Sequence, residues 1–518
     1  MTLTRRQFVA ATAVWSACPL AAAAPTGLVT GQPEGAIAGM AVLAAGGNAV
    51  DAIVTAALVA GVVSLPMTGL GGYGGALIIA RPDGRTAALD FNTVAPAAAV
   101  DRAATLGWHD VGVPGVLAGL HRALEQFGTQ TFAAAVKPAI AIARTGFPVS
   151  KYVASTLEKA RAQFVKDPPS AKLYLVDGRP LSPGATFRNP DLADLLETLS
   201  VKGVQDFYHG ATAARIAAAS RVNGGLLTVA DLAKYQPLDV VPLTLDWHGT
   251  TLHTPPPAAG GLTVLQALAT LKALGKPVWD RGDPRTIHTR LEALRIAWHD
   301  RLAHLGDPKM TDVPVARLLS EAHAAVSAER VRAAVRARQP VDAPHAHRPA
   351  NGTTHLNAVD ARGLMASLTF THGEAFGAQV TVPGLGLTMG HGLVRFDSER
   401  GRPNSIAPGK RPLHNMSPLV LTRGGQPLLA IGAVGGRRIP DTLTTVLAHY
   451  LESGDLTAAV AAPRFHTEGD LKYAMEATQP AATVEYLKTV GYTSTIGGAA
   501  TLNAIERRAE GTLRTAAR

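Results

Sequence analysis

A chain of 518 residues, at roughly 150 residues per domain, is sized for about three domains or one large α/β body. Apolar residues make up 47% and charged residues 17%, against roughly 25% charged in an average globular chain, so a sizeable core is available and intrinsic disorder is excluded. A net charge of +10 would attract nucleic acid or an acidic membrane surface, but the basic residues form no blocks interleaved with aromatics. Their densest run, Arg330, Arg332, Arg336 and Arg338, falls in an Ala-rich helical pattern and reads as a solvated face.

Residues 1–25 read as an export leader. Arg5-Arg6-Gln7-Phe8 precedes an apolar run from Val9 to Cys18, then small residues, Ala21 to Ala24, before Pro25. This is the layout of a twin-arginine signal, which sends a protein to the periplasm or cell exterior. The run is too short to span a bilayer, and no membrane span is expected elsewhere. Cys18 is the sole cysteine, so a chain without its leader has no disulfide, thiolate nucleophile or Cys-bound metal.

From Gly27 onward, helical patterns, short β-rich runs and Gly/Pro punctuation alternate. Ala36 to Leu43 and the apolar Val50 to Val63 read as helices, the second stopping before Pro66. The Gly-rich turn Gly69 to Gly75 feeds a strand from Ala76 to Ala80. Val116 to Phe127, Leu192 to Leu199 and Thr286 to Leu305 are amphipathic, and a further helix starts at Leu262 after the breaks at Pro255 to Pro257 and Gly260-Gly261. Around residue 340 the chain turns polar, with Pro340, Pro344, Pro349 and Asn351-Gly352. His345 and His347 belong to this tract and read as polar composition rather than a metal site. No metal or cofactor is expected. Strands follow at His355 to Val359, Leu364 to Thr371, Val380 to Val382, Leu419 to Leu421 and Leu428 to Ile431. A helical first two-thirds and a strand-rich last third, joined by an exposed connector, predict two pieces of one interlocked α/β (α+β) fold.

Gly352-Thr353-Thr354-His355 ends that connector. A Thr that opens a strand after an exposed loop has the layout of an N-terminal nucleophile. Its hydroxyl attacks the preceding carbonyl, the acyl group moves from N to O, and hydrolysis frees a new N-terminus. The released α-amine, with a pKa near ~8, then serves as general base for the hydroxyl beside it. Gly352 has no Cβ and tolerates the strained backbone such a shift needs. Taken alone, the tripeptide is also an ordinary strand start.

A series of motifs gives it context: Gly46-Gly47-Asn48-Ala49-Val50-Asp51-Ala52, Gly69-Leu70-Gly71-Gly72, Gly112-Val113-Pro114-Gly115, Gly224 to Leu232, Pro255 to Gly261, Glu292-Ala293 with Asp300-Arg301, and Gly306-Asp307-Pro308. After the connector come Pro412-Leu413-His414-Asn415-Met416-Ser417-Pro418, Gly435-Gly436 and Pro463-Arg464-Phe465-His466. In this order, from about residue 27 to the end, the chain resembles the γ-glutamyltransferase family of N-terminal nucleophile hydrolases. The resemblance implies a four-layer αββα sandwich made by self-cleavage between Gly352 and Thr353. The products are a large subunit, 26–352, and a small catalytic subunit, 353–518, which stay together as a heterodimer. It implies Thr353 as nucleophile, Thr371 as the supporting threonine and Gly435 and Gly436 as the oxyanion-binding pair. A Thr closing a β-run and a Gly-Gly turn also have plain structural readings.

The substrate end departs from the family. A γ-glutamyl group carries a carboxylate and an ammonium, which the family reads with matched charges. Its carboxylate-binding arginine falls at Asn92, its amine-reading asparagine at Gly373, its glutamine and aspartate at Gly392 and Arg395, and its paired serines at His414 and Asn415. Arg395 in place of an acid turns an attraction for the ammonium into a repulsion. With Arg437, it suits an acyl group that ends in a carboxylate and lacks the amine, such as a glutaryl or succinyl amide; a solvated rim position is the plain alternative for both arginines. The short segment from Asp397 to Pro408 suggests an open pocket.

The leading expectation is an exported, self-cleaving amidohydrolase or acyltransferase acting on a small-molecule amide, with altered acyl specificity. An ordinary γ-glutamyltransferase or glutathione hydrolase, with recognition residues elsewhere in the pocket, is the first alternative. A non-catalytic binding protein on the same scaffold is the second, and the intact Thr353, Thr371 and Gly435-Gly436 argue against it.

Overall fold

The computed structural model describes residues 27–100, 105–275, 283–343, 352–476, 479–498 and 500–518. The twin-arginine stretch and the His345/His347 pair lie outside these. Among the described residues no helix is long and apolar enough to cross a membrane.

The strands pair antiparallel into two six-stranded sheets. The first runs, in spatial order, Gly27–Thr30, Thr354–Asp360, Met365–Thr371, Gly74–Ala80, Thr86–Asp90 and Leu238–Val240. The second runs Leu513–Ala517, Thr501–Arg507, Gln426–Val434, Leu419–Arg423, Thr250–Thr254 and Leu243–Trp247. Each sheet combines strands from before and after the connector, so neither piece completes a sheet by itself.

Both faces of the first sheet are covered, and its central strands are buried at every residue. Side chains alternate along each strand. Leu356, Ala358, Leu368 and Phe370 therefore pack in one cluster with the helix Ala49–Val63. Ile78, Val359 and Met365 meet Val420, Ala430 and Ile505 of the second sheet. The space between the sheets also holds a polar network. His355 Nδ1 lies 2.8 Å from Thr369 Oγ1, and Asn357 donates to Asn503 Oδ1 at 2.8 Å. Gly432 makes room for the imidazole, since a Cβ there would lie 2.1 Å from His355 Cε1. On the second sheet, Leu252, Leu421 and Ile431 pack with Val264, Ile296 and Leu447 of the helices Gly261–Ala273, Pro284–His304 and Arg438–Ser453.

The helix Ala49–Val63 is apolar all round and buried throughout, as such a pattern demands. Asn48 caps it, accepting from Val50 N and Asp51 N, while Asp51 returns the bond to Asn48 N. The helix predicted at 116–127 is observed as Val116–Phe127, and those predicted around residues 36, 192 and 286 extend to their caps as Pro33–Ala44, Pro190–Lys202 and Pro284–His304. The basic run lies on Glu321–Ala337, where Arg332 and Arg336 are exposed and pair with Glu329. Most described helices precede the connector and most described strands follow it, but six strands of the two sheets, up to Thr250–Thr254, also come before it, and the last third carries the helices Arg438–Ser453, Leu456–Ala461 and Ala481–Val490.

Candidate active site

The register Thr354↔Phe370 brings Thr353, just before one strand, beside Thr371 at the end of its neighbour. Thr353 is 5% exposed. Its Oγ1 donates to the carbonyl oxygen of Gly352 at 2.6 Å, and Thr371 Oγ1 donates to the same oxygen. Gly373 N–H donates to Thr371 Oγ1 at 2.8 Å, which leaves the single hydroxyl proton of Thr371 for Gly352. Gly352 has φ +93°, in the region that a residue with a Cβ rarely adopts. The carbonyl oxygen of the Gly352–Thr353 bond thus accepts from two hydroxyls, one from each threonine.

Gly352, Thr353, Thr371, Gly373 and Arg395 line a narrow cleft. Asn415, Met416, Gly436, Ile439 and Tyr73 complete it. The strand Gln426–Val434 turns into the helix Arg438–Ser453 through Gly435 (φ +143°) and Gly436 (φ +64°). Gly436 and Ile439 both border the cleft, so the N-terminal end of a 16-residue helix, with its partial positive charge, adjoins it. Gly435 lies behind, against Ala500. Asp441 pins that first turn by accepting from Trp298 Nε1 at 2.8 Å and from Thr467 N at 2.7 Å. Burial pushes its carboxyl up to about 7, against those hydrogen bonds.

The residues singled out at the substrate end divide. Arg395 and Asn415 stand on the cleft wall. Arg395 is not a solvated rim residue: Nη2 donates to Gly373 O at 2.5 Å and to Glu374 Oε1 at 2.8 Å. Gly373 (φ +100°) and Gly392 leave no room for larger side chains, because a Cβ would lie 3.0 Å from the Tyr73 ring in the first case and 2.7 Å from Thr93 Cγ2 in the second. Asn92 is spent internally, donating to Pro412 O at 2.6 Å and accepting from Thr93 N. His414 is buried beside the cleft wall. Desolvation, with Arg301, Arg411 and Arg395 nearby, holds its imidazole down at about 3, so it is neutral. Arg437 lies 5.1 Å above the Trp298 ring, behind the wall.

Tyr73 was not singled out in the sequence. It closes the Gly-rich turn before Gly74–Ala80, and its ring fills the space that Gly373 and Gly392 leave open. Burial raises its phenol to about 12, with Arg395 acting in the opposite direction. An aromatic side chain inside a run of glycines was the available signal.

The family model described as Gamma-glutamyltranspeptidase matches residues 35–517. A glutathione hydrolase proenzyme of a Pseudomonas species is 33% identical over 476 residues, covering 85% of this chain and 81% of that protein. The Acylase ACY 1 proenzyme of another Pseudomonas strain is 33% identical over 515 residues, covering 95% and 91%. The crystal structure of cephalosporin acylase from Bacillus halodurans superposes with a TM-score of 0.86 at 27% identity, covering 95% of this chain and 94% of that one. Fold and site together define an enzyme of the N-terminal nucleophile hydrolase type. Within that superfamily the chain belongs to the γ-glutamyltransferase family, whose members act on amide and acyl substrates.

Proposed function

We propose that the protein is a self-cleaving threonine amidohydrolase or acyltransferase, with the observation that two hydroxyls converge on the Gly352 carbonyl carrying the reading. Thr353 Oγ1 attacks the carbonyl carbon of Gly352, and the Thr371 proton stabilises the oxygen as it gains charge. The C–N bond breaks as the nitrogen takes up a proton, and water then hydrolyses the ester. This leaves a large subunit ending at Gly352 and a small subunit beginning with Thr353 in one four-layer αββα heterodimer. The freed amine of Thr353 removes the proton from its own hydroxyl during each later attack on a substrate amide. Of the expected oxyanion-binding pair Gly435-Gly436, Gly436 borders the cleft, and its backbone N–H receives the oxyanion. The acyl group then passes to water or an amine. The leader carries the precursor across the cytoplasmic membrane by the twin-arginine route.

The names of the glutathione hydrolase relatives support a γ-glutamyl donor. A donor that ends in a carboxylate without an amine is the second reading, favoured by Arg395 at a position where the family has an acid. Intact mass of purified protein, before and after mixing with γ-glutamyl-p-nitroanilide, tests the chemistry. Two fragments divided at residue 353 are expected, with the acyl mass on the smaller one.

A further inference from the structure

We propose that the far end of the acyl donor is read by the ion pair Arg395–Glu374, the guanidinium taking a carboxylate and the open half of the Glu374 carboxylate taking an ammonium. The pair would do the work of the readers absent at Asn92, Gly373 and Gly392, and the inference rests on the Thr353 acyl-enzyme reading above.

Arg395 shares the cleft with Thr353, and its side chain is 11% exposed. Its Nη2 is committed to Gly373 O and Glu374 Oε1, while its Nε is buried with no hydrogen-bond acceptor among the described residues. A buried cationic donor without an acceptor is costly, and a ligand carboxylate supplies one. Glu374 meets Arg395 through Oε1 alone, and its side chain is 29% exposed. In the uncleaved chain Gly352 marks where a substrate's acyl carbonyl rests. Arg395 lines the cleft with Thr353, and Glu374 Oε1 lies 2.8 Å from its Nη2, which brings the carboxylate to the edge of the cleft. The neighbouring cations stand behind the wall. Arg301 donates to His414 O at 2.9 Å and to Asn415 Oδ1 at 3.3 Å, and Arg437 lies over Trp298.

Arg395 by itself repels an ammonium, as the sequence implied, but Arg395 bound to Glu374 is neutral overall and dipolar. Its complement is a head that carries both charges. A head with a carboxylate alone gains the Arg395 contact and also meets the Glu374 carboxylate.

Three p-nitroanilides test this on the self-cleaved enzyme: γ-glutamyl, glutaryl (no ammonium) and 4-aminobutyryl (no α-carboxylate). Wild type is expected to favour γ-glutamyl in kcat/KM by roughly 10- to 100-fold over each, the factor that one charge-assisted hydrogen bond supplies. Glu374→Gln is expected to collapse the γ-glutamyl to glutaryl ratio and Glu374→Asp to restore part of it; Arg395→Met is expected to collapse the γ-glutamyl to 4-aminobutyryl ratio. The wild-type comparison stands even where a variant fails to fold. A wild-type preference for glutaryl, or a Glu374→Gln enzyme with unchanged ratios, overturns the reader and leaves Thr353 chemistry intact. A chain split at Thr353 that none of the anilides acylates overturns the acyl-enzyme reading and the reader with it.

Discussion

The hydroxyls of Thr353 and Thr371 share one acceptor, the carbonyl oxygen of Gly352. Two adjacent antiparallel strands end together to place them there. The Gly373 N–H on Thr371 Oγ1 sets which way the second hydroxyl proton points. In the proposed mechanism Thr353 attacks and Thr371 stabilises the charge that the attack creates.

Thr371→Val keeps the β-branched shape of the strand end and removes the proton. Self-cleavage is expected to slow by roughly 10²- to 10³-fold, the cost of losing one oxyanion donor in other hydrolases. The fraction of unsplit precursor on a denaturing gel over time measures it. Cleavage at the wild-type rate would take Thr371 out of the mechanism.

Gly435→Ala tests the turn into the helix Arg438–Ser453. At φ +143° an alanine is strained, and its Cβ would lie 2.9 Å from that of Ala500. A loss of about 1–3 kcal/mol is expected, with a lower kcat as the N–H groups beside the cleft shift. Urea unfolding in a Thr353→Ala background measures the stability term without interference from cleavage.

The buried imidazoles predict acid sensitivity. Desolvation holds His355, His372, His414 and His466 down at about 3, below the ordinary value of 6.5. Between those values the unfolded chain binds more protons than the folded one. Stability is therefore retained above pH 6.5 and lost as pH falls toward 3. Each imidazole contributes a slope of about 1.4 kcal/mol per pH unit within that window. His414→Leu, which removes one titrating group, is expected to flatten the pH dependence of unfolding by that amount; an unchanged slope would show that His414 is protonated in the folded state.

A buried ion pair, Glu292–Arg295, holds Val341 and Ala343. Glu292 accepts from Tyr492 Oη at 2.6 Å and from Val341 N at 2.9 Å, and pairs with Arg295 at 3.1 Å. Arg295 in turn holds Val341 O at 3.0 Å and Ala343 O at 3.3 Å. Glu292→Ala leaves the guanidinium buried and unpaired, at a cost of about 3–5 kcal/mol. A lower melting temperature is expected, and thermal melts in a Thr353→Ala background check it.

Local chemistry explains what was legible in the sequence. Val116–Phe127 has an apolar stripe of helical period bounded by Gly115 and Gly128, and Ala49–Val63 is continuously apolar behind an Asn48 cap, so both were readable without tertiary information. The strands Thr86–Asp90, Leu243–Trp247 and Thr250–Thr254 are short, and partners far along the chain complete their sheets. The site shows the same division. Thr353 and Thr371 carry their meaning in type and position. Tyr73 acquires its place only when Gly373 and Gly392 close over it, and the charge of Arg395 changes meaning once Glu374, 21 residues earlier, is seen to pair with it.

N-terminal sequencing of the folded, purified protein, beside its Thr353→Ala counterpart, tests the central claim most directly. The account predicts a wild-type fragment that begins Thr-Thr-His at residue 353, and a variant that stays whole. A wild-type protein with no chain starting at Thr353, or a Thr353→Ala protein that splits at the same bond, would contradict it.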